Sequence, residues 1–427
     1  MQLIARIWAF NSPLSLVVMG GSQIKGGAYL RGFIFLIIQL AFLYFAVDLL
    51  TAVKGLATLG EIAQQRRGFD IIQGDNSIFM LVDGVIAVLL IGLFALVYIA
   101  NVKDALSFVP ERTSLKHQVK SAYEKHFAFL MLTPSAAATF LFIILPIAIT
   151  VMVAFTNYSA PNHIPPRSLI DWVGLRNFVS LFKMEIWSGT FFGVATWTVT
   201  WAVCATAANF AFGFVLALAV EHRDIKFKKV WRLIFILPYA IPSFVTLLVF
   251  RLLLNGVGPV NNLLNGLGID SIGFLSNPIT AKVTVILVSV WVSAPYFMLM
   301  ISSAMTNIPA EIYEAAEVDG ANKLQQFWEI TLPMVLNQLA PSLVMAFANN
   351  FNNFGAIFLL TEGGPINPDY RFAGHTDILI TWIYKLTLDF QQYNIAAVVS
   401  IVIFLFLSTI AIWQFRRMKS FKEDVGM

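Results

Sequence analysis

Long apolar segments recur along the whole chain and restrict its possible folds more than any other feature. A helix that crosses the hydrocarbon core of a bilayer needs about 20 mainly apolar residues. Eight windows of suitable length lie near 28–52, 79–100, 127–155, 192–220, 230–254, 282–305, 338–360 and 393–415. The alternating pattern of barrel strands is absent, so only helices are expected. The sequence predicts an all-α, polytopic membrane protein with about eight transmembrane helices.

Charge supports a membrane protein more than a nucleic-acid-binding one. Hydrophobic residues make up 58% of the 427 positions and charged residues only 12%, with a formal net charge of +4. The lysines and arginines stand in short blocks between the apolar windows, a pattern typical of membrane topology. The lipid bilayer is therefore an expected partner and nucleic acid is not. The single cysteine, Cys204, excludes a disulfide framework.

The same basic residues predict the orientation. With eight spans both termini lie on one side, and most of the 28 lysines and arginines fall in the segments of that side. By the positive-inside rule this side is cytoplasmic. The segment between the sixth and seventh windows then faces the cytoplasm.

An acidic stretch occupies that cytoplasmic segment. EIYEAAEVDGANKLQQFWEITLP runs over residues 311–333. Asn307 can cap a helix that has Pro309 in its first turn, and Gly320 stands where such a helix ends in a left-handed residue. A second helix is expected to run to Pro333, which redirects the chain into the seventh span.

Two interpretations of this stretch are open from the residues alone. Ile312, Ala315 and Ala316 lie on one face of the first helix. The helix suits an amphipathic connector on the membrane surface, with its acids in water. It also suits a docking element, because alanines let a soluble partner approach closely and acids supply charge complementarity.

Polar side chains gather in the seventh window. On a continuous helix, one arc of about 160° would hold Asn349, Asn350, Asn352 and Asn353. Amides are costly against lipid, so this arc is expected to face protein or a water-filled cavity. The alternative is interhelical hydrogen bonding, which contributes about 0.6–2 kcal/mol per contact.

The sixth window adds hydroxyl and aromatic groups. Ser289, Ser293 and Tyr296 follow helical spacing, and Pro295 leaves the carbonyl of Trp291 without its helical donor. Amides and hydroxyls pair with sugar hydroxyls, while aromatic faces cover the apolar side of a sugar. The mixture suits a neutral saccharide. The alternative is an ordinary proline kink with a packed aromatic side chain.

The acidic stretch also carries a family pattern. Glu-Ala-Ala, three residues, Gly, nine residues and Ile-x-Leu-Pro occur as Glu314, Ala315, Ala316, Gly320, Ile330, Leu332 and Pro333. The pattern resembles the cytoplasmic loop of the membrane subunits of ABC importers. This resemblance implies a coupling helix, within the loop 306–337, that docks on an ATPase subunit. The implied docking residues are Glu311, Glu314, Ala315, Ala316, Asp319 and Gly320.

Other segments resemble the larger permease subunit of maltose/maltodextrin importers. They are LPYAIPSF at 237–244, APYFML at 294–299, FANNFNNF at 347–354, LLTEGGP at 359–365 and AGHTDIL at 373–379. The resemblance implies a six-helix type I permease core over 127–427, preceded by a segment 1–126 with two accessory helices. It also implies a substrate site formed by Ser289, Trp291, Val292, Ser293, Tyr296, Ala346, Asn349, Asn350 and Asn353.

The resemblance further implies a bacterial cell-membrane protein with several partners. These are a second, smaller permease subunit, two ABC ATPase subunits, a sugar-binding protein and an oligosaccharide. Gram-negative members carry a large domain between spans three and four, whereas only 156–191 is available here. A short loop suits a lipid-anchored binding protein. The residue types at Ser289, Ala346 and Asn349 depart from the best-known member, which leaves sugar length or linkage open.

Enzymatic functions are not expected. The sequence has no G-x-x-x-x-G-K-[ST] phosphate loop, and its five histidines lack metal-ligand spacing. ATP hydrolysis is therefore assigned to separate subunits, with no cofactor or metal on this chain. Two alternatives remain: a permease for another oligosaccharide, and an ion-coupled sugar carrier. The carrier would usually place an ionisable residue near the membrane midplane, and the predicted midplanes contain none.

Overall fold

The computed structural model describes residues 17–67, 70–107, 115–164, 168–222 and 225–415. Its helices are α1 Gly21–Lys25, α2 Tyr29–Thr58, α3 Ser77–Ser107, α4 Leu115–Thr139, α5 Leu145–Ala154, α6 Arg176–Lys183, α7 Glu185–Glu221, α8 Lys228–Ala240, α9 Ser243–Leu253, α10 Pro259–Gly266, α11 Pro278–Thr306, α12 Ala310–Val318, α13 Lys323–Gln326, α14 Leu332–Phe351, α15 Phe354–Thr361, α16 Leu379–Tyr384 and α17 Tyr393–Phe415. Three π-helical segments continue the helical path after α4, α13 and α16, at Phe140–Ile144, Phe327–Thr331 and Lys385–Asp389.

The described helices confirm the polytopic all-α prediction. Seven of them are long and apolar enough to cross a membrane, and α8 with α9 makes an eighth if the pair is one span. Outside the predicted spans, β1 (Gln65–Arg67) pairs antiparallel with β2 (Asp70–Ile72). This hairpin lies between the first two apolar windows, so its backbone is not subject to the restrictions of the hydrocarbon core.

Two of the predicted spans are not single straight helices. The axes of α8 and α9 differ by 83°. The break falls at Ile241, whose ψ of 134° is extended because the following Pro242 disfavours the helical conformation there. In the seventh span, α14 ends at Phe351, and α15 begins at Phe354 after the N-cap residue Asn353. The prediction that four asparagines share one arc of a continuous helix was therefore wrong.

By their internal contacts the residues form two compact units, Met1–Asn177 and Phe178–Met427. In the first, α2 and α3 pack along each other, with the rings of Phe42 and Phe94 stacked at 3.7 Å. Beside the hairpin, the backbone N–H groups of Glu61 and Ile62 donate to Asp75 at 2.7 and 2.9 Å and lower the pKa of that carboxyl. The predicted domain boundary after residue 126, which separates two accessory helices from the transport core, stays a prediction.

The second unit is built on the packing of α7 against α11. The two helices approach closely at Gly213, where an added Cβ would lie 2.5 Å from the Phe297 Cβ and 2.9 Å from the Ala294 carbonyl oxygen. Only glycine leaves room for this contact between two long helices. The α7–α11 pair is therefore the frame on which the other helices of this unit pack.

Two apolar clusters lie along this pair. The first contains Trp197, Trp201, Val285 and Val288, together with side chains from α9 and α15. The second contains Phe214, Phe297, Met298 and Ile301, together with side chains from α14. Between them α7 carries the buried polar residues Thr206 and Asn209, and α11 carries Ser289. The core is thus interrupted by a polar layer.

The segment between α15 and α17 is fastened to one end of α7. The hydroxyl oxygens of Thr190 and Thr198 accept the backbone N–H groups of Arg371 and Leu379 at 2.8 and 2.9 Å. The indole of Trp197 donates to the carbonyl of Thr376 at 3.1 Å. These bonds hold the LLTEGGP and AGHTDIL segments against the helix frame.

A buried carboxylate organises that segment internally. Asp377 is 1% exposed and accepts hydrogen bonds from Gly374 N at 2.6 Å, Thr381 Oγ1 at 2.8 Å and Lys385 Nζ at 2.6 Å. Burial raises the pKa of Asp377, and the Lys385 ammonium opposes that shift. A Cβ at Gly363, whose φ is 77°, would overlap this carboxylate. The pairing of Gly363 in LLTEGGP with Asp377 in AGHTDIL is therefore a packing requirement.

Gly213→Ala should lower the thermal unfolding midpoint of the detergent-solubilised protein. Its methyl group would force α7 and α11 apart, and overpacking of this kind costs about 1–3 kcal/mol. The matched control is Gly189→Ala on the same helix, where an added Cβ meets nothing within 4 Å. Equal midpoints for the two variants would contradict the proposed role of the crossing.

Candidate functional site

A cavity of about 660 Å³ lies among the helices of the second unit. Its walls come from α7, α8, α11 and α14. The lining residues are Asn209, Tyr239, Ser293, Tyr296, Phe297, Pro341, Ser342, Met345, Ala346, Asn349 and Asn350. Amides, hydroxyls and aromatic rings are thus combined in one space, and none of these side chains carries a full charge.

One wall of the cavity is aromatic. The rings of Tyr239 and Tyr296 stack at 5.8 Å with an interplanar angle of 29°, and Tyr296 meets Phe297 edge-on at 5.7 Å. Tyr239 precedes the break between α8 and α9, so the bend helps to place its ring beside α11. Both tyrosines remain substantially exposed, at 50% and 42%. Their surfaces are accessible to a ligand.

Asn209 and Asn350 form the floor of the cavity, and Thr206 and Ser289 lie behind them in the polar layer. All four residues are buried. Asn209 Nδ2 donates to Ser289 Oγ at 3.3 Å, and Asn350 Nδ2 donates to Thr206 Oγ1 at 2.9 Å. The layer therefore links α7 to both α11 and α14 across the apolar core.

The end of α14 supports this layer. Trp201 Nε1 donates to the main-chain oxygen of Asn350 at 2.9 Å, and Asn353 N donates to the same oxygen at 3.1 Å. The Asn353 side chain accepts the N–H of Ala356 at 3.1 Å and caps α15. Backbone groups that the helix break would leave unpaired are satisfied by protein groups, as an apolar surrounding requires.

The structure brings five of the nine predicted substrate residues to the cavity wall. They are Ser293, Tyr296, Ala346, Asn349 and Asn350. The other four are not among the lining residues. Ser289 is buried as the partner of Asn209, and Asn353 caps α15. Trp291 is 55% exposed and packs edge-on against Phe250, and Val292 is partly buried. A substrate role for any of the nine stays a prediction.

Sequence reasoning missed Asn209 and Tyr239 as wall residues. Asn209 is an amide within the apolar window 192–220, so the cost argument applied to the asparagines of the seventh span would also have found it. Tyr239 stands between the prolines of LPYAIPSF. Pro341, Ser342 and Met345 gave no comparable signal, because their position depends on how α14 packs.

The acidic stretch forms a separate exposed surface. Helix α12 contains no buried residue, and Glu311, Glu314 and Ala315 are exposed while Ala316 is partly buried. The helix is anchored by Tyr313, whose hydroxyl lies 2.9 Å from Thr331 Oγ1. The acids therefore face away from the core.

The ends of α12 agree only partly with the sequence prediction. Gly320 has a φ of 82°, so the expected left-handed helix end is confirmed. The predicted Asn307 cap was wrong, because Asn307 ends α11 and Pro309 takes the N-cap position of α12. The expected turn at Pro333 was also wrong, since a π-helical segment carries α13 directly into α14. Glu317 pairs with Lys323.

No metal site accompanies these features: the described residues contain no group of three or more His, Cys, Asp or Glu side chains that could hold a metal ion.

Comparisons with known proteins place the whole chain in one family. Residues 209–420 match the family model described as the binding-protein-dependent transport system inner membrane component. The galactooligosaccharides transport system permease protein of Bacillus subtilis is 37% identical, with 96% of this chain and 97% of that protein covered. The maltodextrin transport system permease protein of Streptococcus pneumoniae is 35% identical, with 97% of both chains covered.

A solved structure supports the same assignment. It is a bacterial alginate ABC transporter in complex with an alginate pentasaccharide-bound periplasmic protein, with a TM-score of 0.54 and 26% identity. The match covers 70% of this chain and 96% of that chain. This chain belongs to the family of binding-protein-dependent transport system inner membrane components, the permease subunits of ABC importers.

Proposed function

We propose that this permease carries a neutral oligosaccharide of the maltodextrin type into the cell, and that the cavity on α7, α8, α11 and α14 holds the sugar during transport. The observation that carries the proposal is the combination of stacked Tyr239 and Tyr296 with the amides of Asn209, Asn349 and Asn350. Aromatic faces suit the apolar side of a sugar, and amides suit its hydroxyls.

The absence of charge on the lining residues favours a neutral sugar. A uronate carries a carboxylate, which needs a cation or several N–H donors when it leaves water. No Lys, Arg or His is among the residues that line the cavity. The two full-length relatives are named as permeases for galactooligosaccharides and for maltodextrin, which supports the same class of substrate.

Transport then follows from alternating access, with the chemical work supplied by other subunits. Two ATPase subunits hydrolyse ATP, and a second permease forms the other half of the pathway. Helix α12 transmits their closure to this chain, with Glu314 facing the ATPase and Gly320 allowing the turn towards α13. A binding protein delivers sugar to the opposite side, at the segments 156–191 and 361–392.

This mechanism sets the orientation of the chain in the cell membrane. Helix α12 has to face the cytoplasm, because ATP is hydrolysed there. Both termini lie on that side by the distribution of basic residues. Residues 127–427 form the transport core, and the two spans before residue 127 are accessory helices.

Affinity purification in mild detergent, through a tag on this chain, should recover a second permease and an ATPase. The complete complex in liposomes should take up maltodextrin only when ATP is present. Recovery of this chain alone would count heavily against the assembly. Uptake driven by a proton gradient without ATP would instead favour the ion-coupled carrier.

Tyr296→Ala and Asn350→Ala should each lower sugar uptake by about tenfold or more while the complex still assembles. Tyr296→Ala removes one ring of the aromatic wall, and Asn350→Ala removes an amide from the cavity floor. Leu287→Ala is the control, because Leu287 lies on α11, is 63% exposed and does not line the cavity. Wild-type uptake in both site variants would place the sugar elsewhere.

Glu314→Ala should weaken the coupling of ATP hydrolysis to uptake without lowering the unfolding midpoint. Glu314 is exposed, and an exposed pair contributes little to folding stability. The measurement is sugar taken up per ATP hydrolysed, together with the amount of ATPase that copurifies. Glu317→Ala serves as control, because Glu317 pairs with Lys323 of the same chain. A Glu314 variant with unchanged coupling and assembly would remove this contact from the mechanism.

A further inference from the structure

We propose that Thr206 is a positioning residue for the transported sugar: its hydroxyl holds the Asn350 amide so that the amide oxygen, rather than the N–H groups, faces the cavity. The proposal rests on the proposed function, since it takes the cavity as the sugar site. It adds a residue of α7 that the sequence did not point to, and it assigns a direction to the hydrogen bonds that the cavity floor can form.

The contacts of Asn350 leave its side-chain oxygen available. Its Nδ2 donates to Thr206 Oγ1 at 2.9 Å, and its main-chain oxygen accepts from Trp201 Nε1 at 2.9 Å. Asn350 lines the cavity although it is only 6% exposed. Within the described part of the chain its side-chain oxygen accepts no hydrogen bond. That oxygen is the group left for a ligand.

Asn209 lies one helical turn after Thr206 on α7, and its side chain is bonded in the same way as that of Asn350. Its Nδ2 donates to Ser289 Oγ at 3.3 Å, so the amide nitrogen is also directed into the polar layer. Its side-chain oxygen is buried and has no hydrogen-bond partner among the described residues. Unpaired buried acceptors are rare in folded proteins because they are destabilising. Two neighbouring amides thus both use N–H internally and keep an oxygen unpaired.

The consequence is a hydrogen-bond acceptor, the side-chain oxygen of Asn350, in the cavity floor, while the oxygen of Asn209 is closed off from the cavity. A sugar hydroxyl can donate to the Asn350 oxygen, whereas a carboxylate can only accept and would meet another acceptor. Thr206 therefore selects for hydroxyl donors without touching the sugar itself. The helix frame, and not the asparagines alone, determines which hydrogen bonds the site offers.

Thr206→Val is the direct test, because valine keeps the shape of threonine and removes the hydroxyl. The complete importer, purified through a tag on this chain, is reconstituted in liposomes with a maltodextrin mixture and, in parallel, a galactooligosaccharide mixture. The measured quantity is sugar taken up per ATP hydrolysed. Loss of one hydrogen bond predicts a decrease of about two- to tenfold, with assembly unchanged and the unfolding midpoint lowered by less than in Gly213→Ala.

Three further variants separate positioning from packing. Thr206→Ser keeps the hydroxyl and should restore uptake per ATP. Thr206→Val combined with Asn350→Ala should be no worse than Asn350→Ala alone, because a residue that acts through Asn350 has nothing left to position. Thr200→Val is the matched control on the same helix, since the exposed Thr200 bonds only to the carbonyl of Thr196.

Several results would overturn the proposal. Wild-type coupling in Thr206→Val, failure of Thr206→Ser to restore it, or an additive loss in the double variant would each exclude positioning through Asn350. An unfolding midpoint in Thr206→Val as low as that of Gly213→Ala would assign the residue a structural role. If instead Asn350→Ala itself transports normally, the cavity is not the sugar site and the proposed function fails with it.

Discussion

The close contact between α7 and α11 at Gly213 is the constraint on which the second unit depends. Both apolar clusters and the polar layer between them are formed by side chains that these two helices present side by side. In lipid there is no hydrophobic force to drive two apolar helices together, so association relies on close packing and interhelical hydrogen bonds. A glycine at the crossing and a polar layer nearby supply both.

The helix breaks are the second structural theme, and they occur where the cavity is built. Ending α14 at Phe351 exposes backbone groups that lipid cannot satisfy. Trp201 and the Asn353 side chain take them up, and the same break brings Asn350 to the cavity floor. The bend between α8 and α9 likewise carries Tyr239 to the aromatic wall. Departures from regular helix in this protein therefore place the groups that face a ligand.

The acidic stretch that interrupts the apolar sequence separates into two kinds of acid in the structure. Glu317 is used within the chain, where it pairs with Lys323 beside the turn at Gly320. Glu311 and Glu314 stand exposed on a helix that buries none of its residues. Among the described residues neither acid forms an ion pair, so both are available to another subunit, as the proposed docking requires.

The sequence by itself determined the fold class, the positions of the apolar segments and the family, because hydrophobic length and motif spacing are properties of consecutive residues. It also pointed to Tyr296, Asn349 and Asn350. Only the tertiary structure decided that Asn353 caps a helix, that Ser289 lies behind the wall, and that Asn209 and Tyr239 line it. Those assignments depend on where helices distant in sequence break and cross. A helical period calculated for one unbroken segment contains no information about either event.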